Sequence, residues 1–351
     1  MNYANTSKHY NPAIYIWLLT ITSMVLLIIV IGGLTRLTDS GLSMTDWRPI
    51  LGTIPPLSVE SWLVVFEMYK QTPEYKIVNK NMTLDEFKYI FWWEWFHRIF
   101  ARAIGVVFII PLIYFSLRKQ IRSSLYIRLG VVFIFGLFQA FVGWWMVKSG
   151  LSENPYVSPY RLTFHLLNAL IIFSILLWIA MDYRYSSNIN FMSKPFTSEF
   201  YIFMSVILIF ITIATGGFMA GTNSGQSFNT FPLMNGQIIP DDYLIDGLGI
   251  YNIFENTVAI NFNHRWISIF AFFYIIFVCF KFIKFDNKIV SNKLVYLILF
   301  FLTLQVFLGI ITLLSNVYLP VASMHQTNSI LLLSTLLISY HQIKIRKVKN
   351  V

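Results

Sequence analysis

The sequence is poor in cysteine and in charged residues. A single cysteine, Cys279, lies inside an apolar run, which excludes an internal disulfide and a thiolate metal cluster. Only 12% of the 351 residues are charged, whereas 56% are hydrophobic, and the mean hydropathy is +0.64. Soluble domains do not have so apolar a composition. The sequence therefore predicts an all-α polytopic membrane protein embedded in a lipid bilayer.

The N-terminal part lacks the features of a cleaved leader. Its first apolar run, about residues 12–31, is long enough to span a bilayer, and no small-residue cleavage site follows it. An arginine-rich transit peptide is also missing. We therefore expect this run to be a retained span, and we expect a bacterial inner-membrane protein rather than an organellar one.

Acidic residues are fewer than basic residues, 16 against 26, and the net charge is +10. Such an excess can indicate nucleic-acid binding. Here, however, Lys and Arg are concentrated in short loops between apolar runs and in the C-terminal tail, while residues 221–263 contain neither. This is the positive-inside pattern of membrane proteins. We therefore expect no nucleic-acid partner and a cytoplasmic location for both termini.

Eight apolar runs are long enough to cross a membrane. They cover roughly residues 12–33, 91–117, 125–147, 162–181, 199–220, 261–283, 293–315 and 322–341. Long loops follow the first and fifth runs, and both are predicted to lie outside. The first loop contains Trp47, Trp62, Phe66 and Tyr69, which favours an amphipathic helix at the membrane interface, with an ordinary solvated loop as the alternative.

The two halves of the chain repeat one another. Gly32-Gly33 recurs as Gly216-Gly217, an offset of 184 residues. Later landmarks recur in the same order at slightly smaller offsets, which predicts two four-helix halves, residues 1–183 and 184–351. Because four spans is an even number, both halves share one orientation, and a pseudo-twofold axis along the membrane normal is expected. The later landmark pairs are His97 and His264, Gln139 and Gln305, Gly143 and Gly309, and His165 and His325.

Four histidines begin every second span, all at the predicted outer ends. Zinc sites need about four close ligands, whereas a haem iron can be held by one imidazole from each of two helices. A small residue follows each histidine by four positions, which leaves room for a flat macrocycle, although small residues are also common where membrane helices touch. The histidines are His97, His165, His264 and His325, and the small residues are Ala101, Ala169, Ser268 and Ser329. The pattern predicts two bis-histidine haem sites, while His9 and His341, at the cytoplasmic ends, have no predicted role.

Charged residues beside these histidines differ between the halves. Arg98 and Arg265 follow their histidines and either pair with haem propionates or extend toward lipid headgroups. Glu94 lies one helical turn before His97, but the repeat places Asn261 at the matching position. Only the first half therefore combines an acid with its histidine. Glu94 is a candidate catalytic group, and the alternative is that it only caps the first turn of the span.

Several motifs together resemble the haem A synthase family over nearly the whole chain. They are Gly32-Gly33-Leu34-Thr35-Arg36-Leu37-Thr38, Ser40-Gly41-Leu42-Ser43, Trp47-Arg48-Pro49, Gly52-Thr53-Ile54-Pro55-Pro56, Glu94-Trp95-Phe96-His97-Arg98, His264-Arg265 and Met324-His325-Gln326. The resemblance implies oxidation of the C8 methyl group of haem O to a formyl group, giving haem A for cytochrome oxidase. It also implies that His264 and His325 hold a haem b cofactor, that His97 and His165 hold the substrate haem, and that Glu94 lies beside the reacting methyl.

Some bacterial members of that family have a cysteine pair in an outer loop, and this chain has none. In this it resembles the branch shared by alphaproteobacteria and mitochondria. The expected partners are haem O synthase, cytochrome oxidase assembly factors and an unidentified electron donor or acceptor. The residues alone leave two other functions open, which are a non-enzymatic bis-haem cytochrome carrying electrons from quinol and a haem chaperone or transporter.

Overall fold

The computed structural model describes residues 10–46, 51–152, 154–185, 197–284 and 290–349. Eight of the helices in this part of the chain are long and apolar enough to cross a membrane, and three short α-helices lie in the two long connections between them. In chain order the helices are α1 (Pro12–Leu37), α2 (Val59–Lys70), α3 (Pro73–Ile77), α4 (Leu84–Leu117), α5 (Ser123–Gly150), α6 (Pro159–Tyr185), α7 (Thr197–Thr222), α8 (Asn252–Glu255), α9 (Thr257–Lys284), α10 (Asn292–Leu314) and α11 (Leu319–Lys349). The predicted fold class, an all-α multi-pass membrane protein, is confirmed.

Helix α4 begins about two turns earlier than predicted. Thr83 is its N-cap and forms a capping box with Glu86, whose side chain accepts a hydrogen bond from the Thr83 backbone N–H at 2.8 Å. The prediction started the span at residue 91, where the apolar run begins, because Asp85, Glu86 and Lys88 precede it. Glu94 therefore lies well inside the helix, and the alternative that it caps the first turn is wrong.

The two halves pack against each other through their inner helices. Helices α1 and α6 of the first half contact α7 and α11 of the second, while α4, α5, α9 and α10 lie outside this inner group. Buried apolar side chains from both halves form one continuous cluster, which includes Leu18, Leu170, Ile202 and Leu333. Burial of so many apolar side chains holds the inner helices together by close packing. The division of the chain at residues 183 and 184 stays a prediction.

The outer helix pairs differ between the halves. Helices α9 and α10 pack along each other, whereas α4 and α5 make almost no close backbone contact. Beside the turn that joins them, α4 and α5 are linked by a hydrogen bond from Tyr126 to Ser116, and farther along the helices by the Phe108 and Phe133 rings, whose centroids are 6.2 Å apart. The two helices therefore diverge toward the opposite end, where His97 lies.

Small residues replace large ones at this divergence. A Cβ added to Gly105 on α4 or Gly136 on α5 would meet no atom within 4 Å. At the matching positions of the second half stand Phe272 and Leu302, and Leu302 is only 3% exposed. The second half therefore fills with side chains the space that the first half leaves open.

The first outer loop carries a small core of its own. Helices α2 and α3 lie beside the outer end of α4, and their aromatic side chains pack with it in a buried cluster of Phe66, Tyr69, Phe87, Ile90 and Phe91. The helix predicted in this loop is confirmed. Its position at the membrane interface stays a prediction, and Trp47, Arg48 and Pro49 lie outside the described residues.

Candidate functional site

Each of the four predicted ligand histidines lies against a glycine of a neighbouring helix. A Cβ built on that glycine would come within 2.8 to 3.3 Å of the Cε1 atom of the imidazole ring, which is closer than ordinary carbon contacts. Only glycine therefore lets the ring lie this close to the adjacent backbone. The pairs are His97 with Gly32, His165 with Gly143, His264 with Gly216, and His325 with Gly309.

The pairing of the histidines as ligands of one iron within each half stays a prediction. His97 and His165 lie close enough to influence each other electrostatically, as do His264 and His325. In the part of the chain that the structure describes, no group of three or more His, Cys, Asp or Glu side chains could hold a metal ion. Two imidazoles on separate helices, each in a glycine cradle, do not fit a zinc site but fit haem iron, which needs only two axial ligands from the protein.

Two glutamines anchor the fourth and eighth spans beside their histidines. Gln139 Nε2 donates to the backbone carbonyl of His165 at 3.1 Å, and its side-chain oxygen accepts from Asn168 at 2.6 Å. Gln305 accepts from Asn328 at 2.7 Å in the second half. The repeat identified both glutamines as landmarks but gave them no role. Each glutamine and its histidine lie on different helices, and the spacing of residues along the sequence does not show which helices touch.

Glu94 is 3% exposed and ties the first outer loop to α4 beside His97. One carboxylate oxygen forms an ion pair with Arg98. The other accepts hydrogen bonds from the Ser43 hydroxyl at 2.7 Å and from the Met44 backbone N–H at 2.8 Å. Arg98 also donates to the Met44 carbonyl at 3.0 Å. Both oxygens of the carboxylate are therefore held in place.

The second half builds the same junction around a neutral amide. Asn261 is fully buried, donates to the Ser224 carbonyl at 2.7 Å, and accepts from Arg265 Nε at 2.7 Å. Arg265 also donates to the Phe228 carbonyl at 2.7 Å, which corresponds to the contact of Arg98 with Met44. The arginine and the loop are conserved between the halves, and the acid is not.

The two arginines therefore differ in whether a neighbouring acid compensates their positive charge. The charge of Arg98 is compensated by Glu94, whereas Arg265 makes its contacts, among the described residues, with neutral oxygens. Both guanidinium groups donate to loop carbonyls, so each holds an outer loop over its site. Propionate binding by Arg98 and Arg265 stays a prediction, and the uncompensated charge makes Arg265 the stronger candidate.

The expectation that His341 has no role is wrong. His341 is 1% exposed, and its Nε2 lies 2.8 Å from Asp182 Oδ1, while Asp182 also pairs with Arg128. A buried ion pair between Lys344 and Glu199 lies close by on the same helix, α11. These contacts join α11 to helices of the other half and to α7. The sequence did contain a signal for this contact, because an acid such as Asp182 at the end of an apolar helix needs a partner. His9 lies outside the described residues.

Comparisons with known proteins agree with the motif resemblance. The COX15-CtaA family, described as a cytochrome oxidase assembly protein, matches residues 15–337. A haem A synthase of Nitrosomonas eutropha is 42% identical over 327 residues, which is 92% of each chain. One of Wolbachia pipientis subsp. Culex pipiens is 44% identical over 318 residues, 90% of this chain and 93% of that protein. One of Bartonella tribocorum is 39% identical over 330 residues, 93% of this chain and 91% of that protein. Since these matches extend over nearly the whole chain, it belongs to the COX15-CtaA family of haem A synthases.

Proposed function

We propose that the protein oxidises the C8 methyl group of haem O to a formyl group, giving haem A for cytochrome oxidase. One observation supports this proposal beyond family membership, namely that only the first of the two matched histidine pairs lies beside a buried acid, Glu94, where the second half has Asn261. A bis-haem cytochrome or a haem chaperone would not need such a difference. The names of the relatives do not favour either alternative.

The first half is proposed as the substrate site, with His97 and His165 holding haem O. A substrate must enter and its product must leave, and the divergence of α4 and α5 supports exchange on this side. The second half, where α9 and α10 pack together, is proposed to hold haem b between His264 and His325. Bound there, haem b would supply one-electron redox chemistry.

Glu94 is proposed to act by its negative charge. Oxidising a methyl group to an aldehyde takes two successive oxidations and leaves an electron-poor carbon on the way. A carboxylate fixed in a buried pocket stabilises such a carbon without reorganising. Ser43, Met44 and Arg98 hold both oxygens of Glu94 in place, as a fixed charge requires. These contacts support charge stabilisation over general-base catalysis.

The expected setting is the bacterial inner membrane, with both termini in the cytoplasm. The basic turn between α4 and α5, which contains Arg118, Lys119 and Arg122, and the lack of Lys and Arg in residues 221–263 support this orientation. Haem O synthase would supply the substrate, and oxidase assembly factors would receive the product.

Glu94→Gln tests the proposal, because it keeps the size of the side chain and removes the charge. We expect haem A production to fall by about 10²–10³-fold, as when a preorganised electrostatic group is lost, while both sites keep haem and haem O accumulates. Pigments extracted from the purified protein and separated by chromatography give the measurement. Glu86→Gln, the same substitution in the capping box of the same helix, is the matched control and should leave haem A production unchanged.

Haem A production near the wild-type level in Glu94→Gln would show that the acid is not the catalytic group. Haem b alone at both sites of the wild-type protein would instead support a bis-haem electron carrier. Haem O or haem A beside haem b is the expected pigment content.

A further inference from the structure

The two proposed haem sites differ in what the Nδ1 atoms of their histidines contact. His264 Nδ1 lies 2.8 Å from the Thr215 hydroxyl on α7, and His325 Nδ1 lies 3.1 Å from the backbone carbonyl of Gln305 on α10. In the first half, the Nδ1 atoms of His97 and His165 are buried and have no hydrogen-bond partner among the described residues. Both histidines of the second half therefore have a partner for Nδ1, and neither histidine of the first half has one.

The contact at Thr215 favours one tautomer of His264. The Thr215 hydroxyl lies 2.8 Å from both the Thr212 carbonyl and His264 Nδ1, and a hydroxyl that donates to the carbonyl accepts from the imidazole. In this arrangement His264 carries its proton on Nδ1, which leaves the Nε2 lone pair free for iron. An N–H at Nδ1 that donates to an oxygen also orients the ring and makes Nε2 a stronger ligand.

The sequence explains why the first half lacks this contact. The 184-residue offset that aligns Gly32 with Gly216 places Ile31 opposite Thr215. An isoleucine side chain offers no acceptor, so His97 keeps its place against Gly32 without a partner for Nδ1. His97 and His264 therefore differ in this hydrogen bond because of one side chain on the neighbouring helix, Ile31 in the first half and Thr215 in the second.

We propose that Thr215 is a positioning residue that makes the second haem site a permanent one, and that Ile31 leaves the first site free to exchange its haem. The inference rests on the proposed function, in which His264 and His325 hold a resident haem and His97 and His165 hold a substrate. A resident cofactor gains from a strong, preoriented ligand. A substrate that must depart as product is released faster when its ligand lacks that support.

The test measures haem release from the purified full-length protein loaded with both haems, using excess apomyoglobin as the acceptor. Thr215→Val keeps the shape of the side chain and removes the hydroxyl, and should release the resident haem about 10–100-fold faster, the usual effect of losing such a contact. Thr215→Ser, which keeps the hydroxyl, should behave as wild type. Ile31→Thr should slow release from the first site by a comparable factor.

A spectroscopic readout separates positioning from simple loss of packing. Weaker donation by His264 should shift the g-values of the low-spin haem b EPR signal and raise its midpoint potential in Thr215→Val, but not in Thr215→Ser. If Thr215→Val does not retain its fold, Ile31→Thr decides the matter, because a wild-type release rate from the first site in that variant would overturn the inference.

Failure of the inference can be told apart from failure of the proposed function. His264→Ala should remove the slowly released haem. If it does so while Thr215→Val releases that haem at the wild-type rate with an unchanged EPR signal, the role of Thr215 is wrong and the proposed function stands. If the slowly released haem persists in His264→Ala, the resident haem is not in the second half, and both proposals fall.

Discussion

The first and second halves of this chain share one scaffold and differ in a few positions around it. In both halves the histidines lie against glycines, a glutamine accepts a hydrogen bond from an asparagine, and an arginine donates to carbonyls of the long loop. The first half has an acid and an open helix pair, whereas the second has a neutral amide, a closed helix pair and anchored ligands. If the proposed function holds, the comparison teaches that a duplicated scaffold provides two haem sites and that a few substitutions make one of them reactive.

The largest expected effect comes from removing an axial ligand in each half. His264→Ala should abolish the low-spin haem b absorption and lower the melting temperature, because a group that binds only the folded state stabilises it. His97→Ala should keep the haem b absorption and stop haem A production. Reduced-minus-oxidised spectra and the haem-to-protein ratio of purified variants give the measurement. Loss of the same haem from both variants would mean that the halves are not separate sites.

A second effect, of intermediate size, comes from closing the space between α4 and α5. Gly136 lies seven residues before Gly143 and therefore on the same side of α5 as the contact with His165. Gly136→Leu copies Leu302 of the second half, and an extra side chain in a binding space costs about 1–3 kcal/mol. We expect substrate haem to bind about 5–150-fold more weakly, with haem b retained.

Gly130→Leu is the matched control for that substitution. Gly130 is on the same helix, and an added Cβ there also meets no atom within 4 Å, but its spacing from Gly143 places it on a different side of α5. Titration of each purified variant with haem O, followed by absorption, compares the two. Equal binding by the two variants would show that the open helix pair has no part in holding the substrate.

The span count and the glycine contacts of the four histidines are consistent with the sequence, because apolar runs set the spans and the repeat marks equivalent positions. The repeat aligned His97 with His264 and His165 with His325, and each of these histidines lies against a glycine. What could not be predicted depends on contacts between distant segments. The roles of Thr215, Gln139 and His341 lie in atoms brought together from different helices, and the start of α4 depends on a capping box that lies outside the apolar run.

The smallest expected effect concerns Glu74, on the part of the first outer loop that the second half lacks. Burial raises the pKa of the Glu74 carboxyl to about 8. The hydrogen bond from the Tyr69 hydroxyl, 2.9 Å away, opposes that rise, the nearby charges of Glu94 and Asp39 add to it, and Arg36 opposes it. Arg36 lies on α1, Asp39 in the loop after it, Tyr69 on α2 and Glu94 on α4.

The raised pKa makes docking of this loop sensitive to pH. Its folded pKa, about 8, lies above the ordinary value of 4.5, so the folded loop keeps a proton that the unfolded loop releases. The contribution of Glu74 to stability is therefore complete below about pH 4.5 and is lost as the pH rises to about 8.

Limited proteolysis of the loop in the purified protein should become a few-fold faster over this range. Glu74→Gln should flatten the profile, since a glutamine stays neutral, while Glu67→Gln, at an exposed position of α2, should leave the wild-type slope. The same slope in Glu74→Gln as in wild type would mean that another group titrates, and the first loop would then differ from the second in length but not in its response to pH.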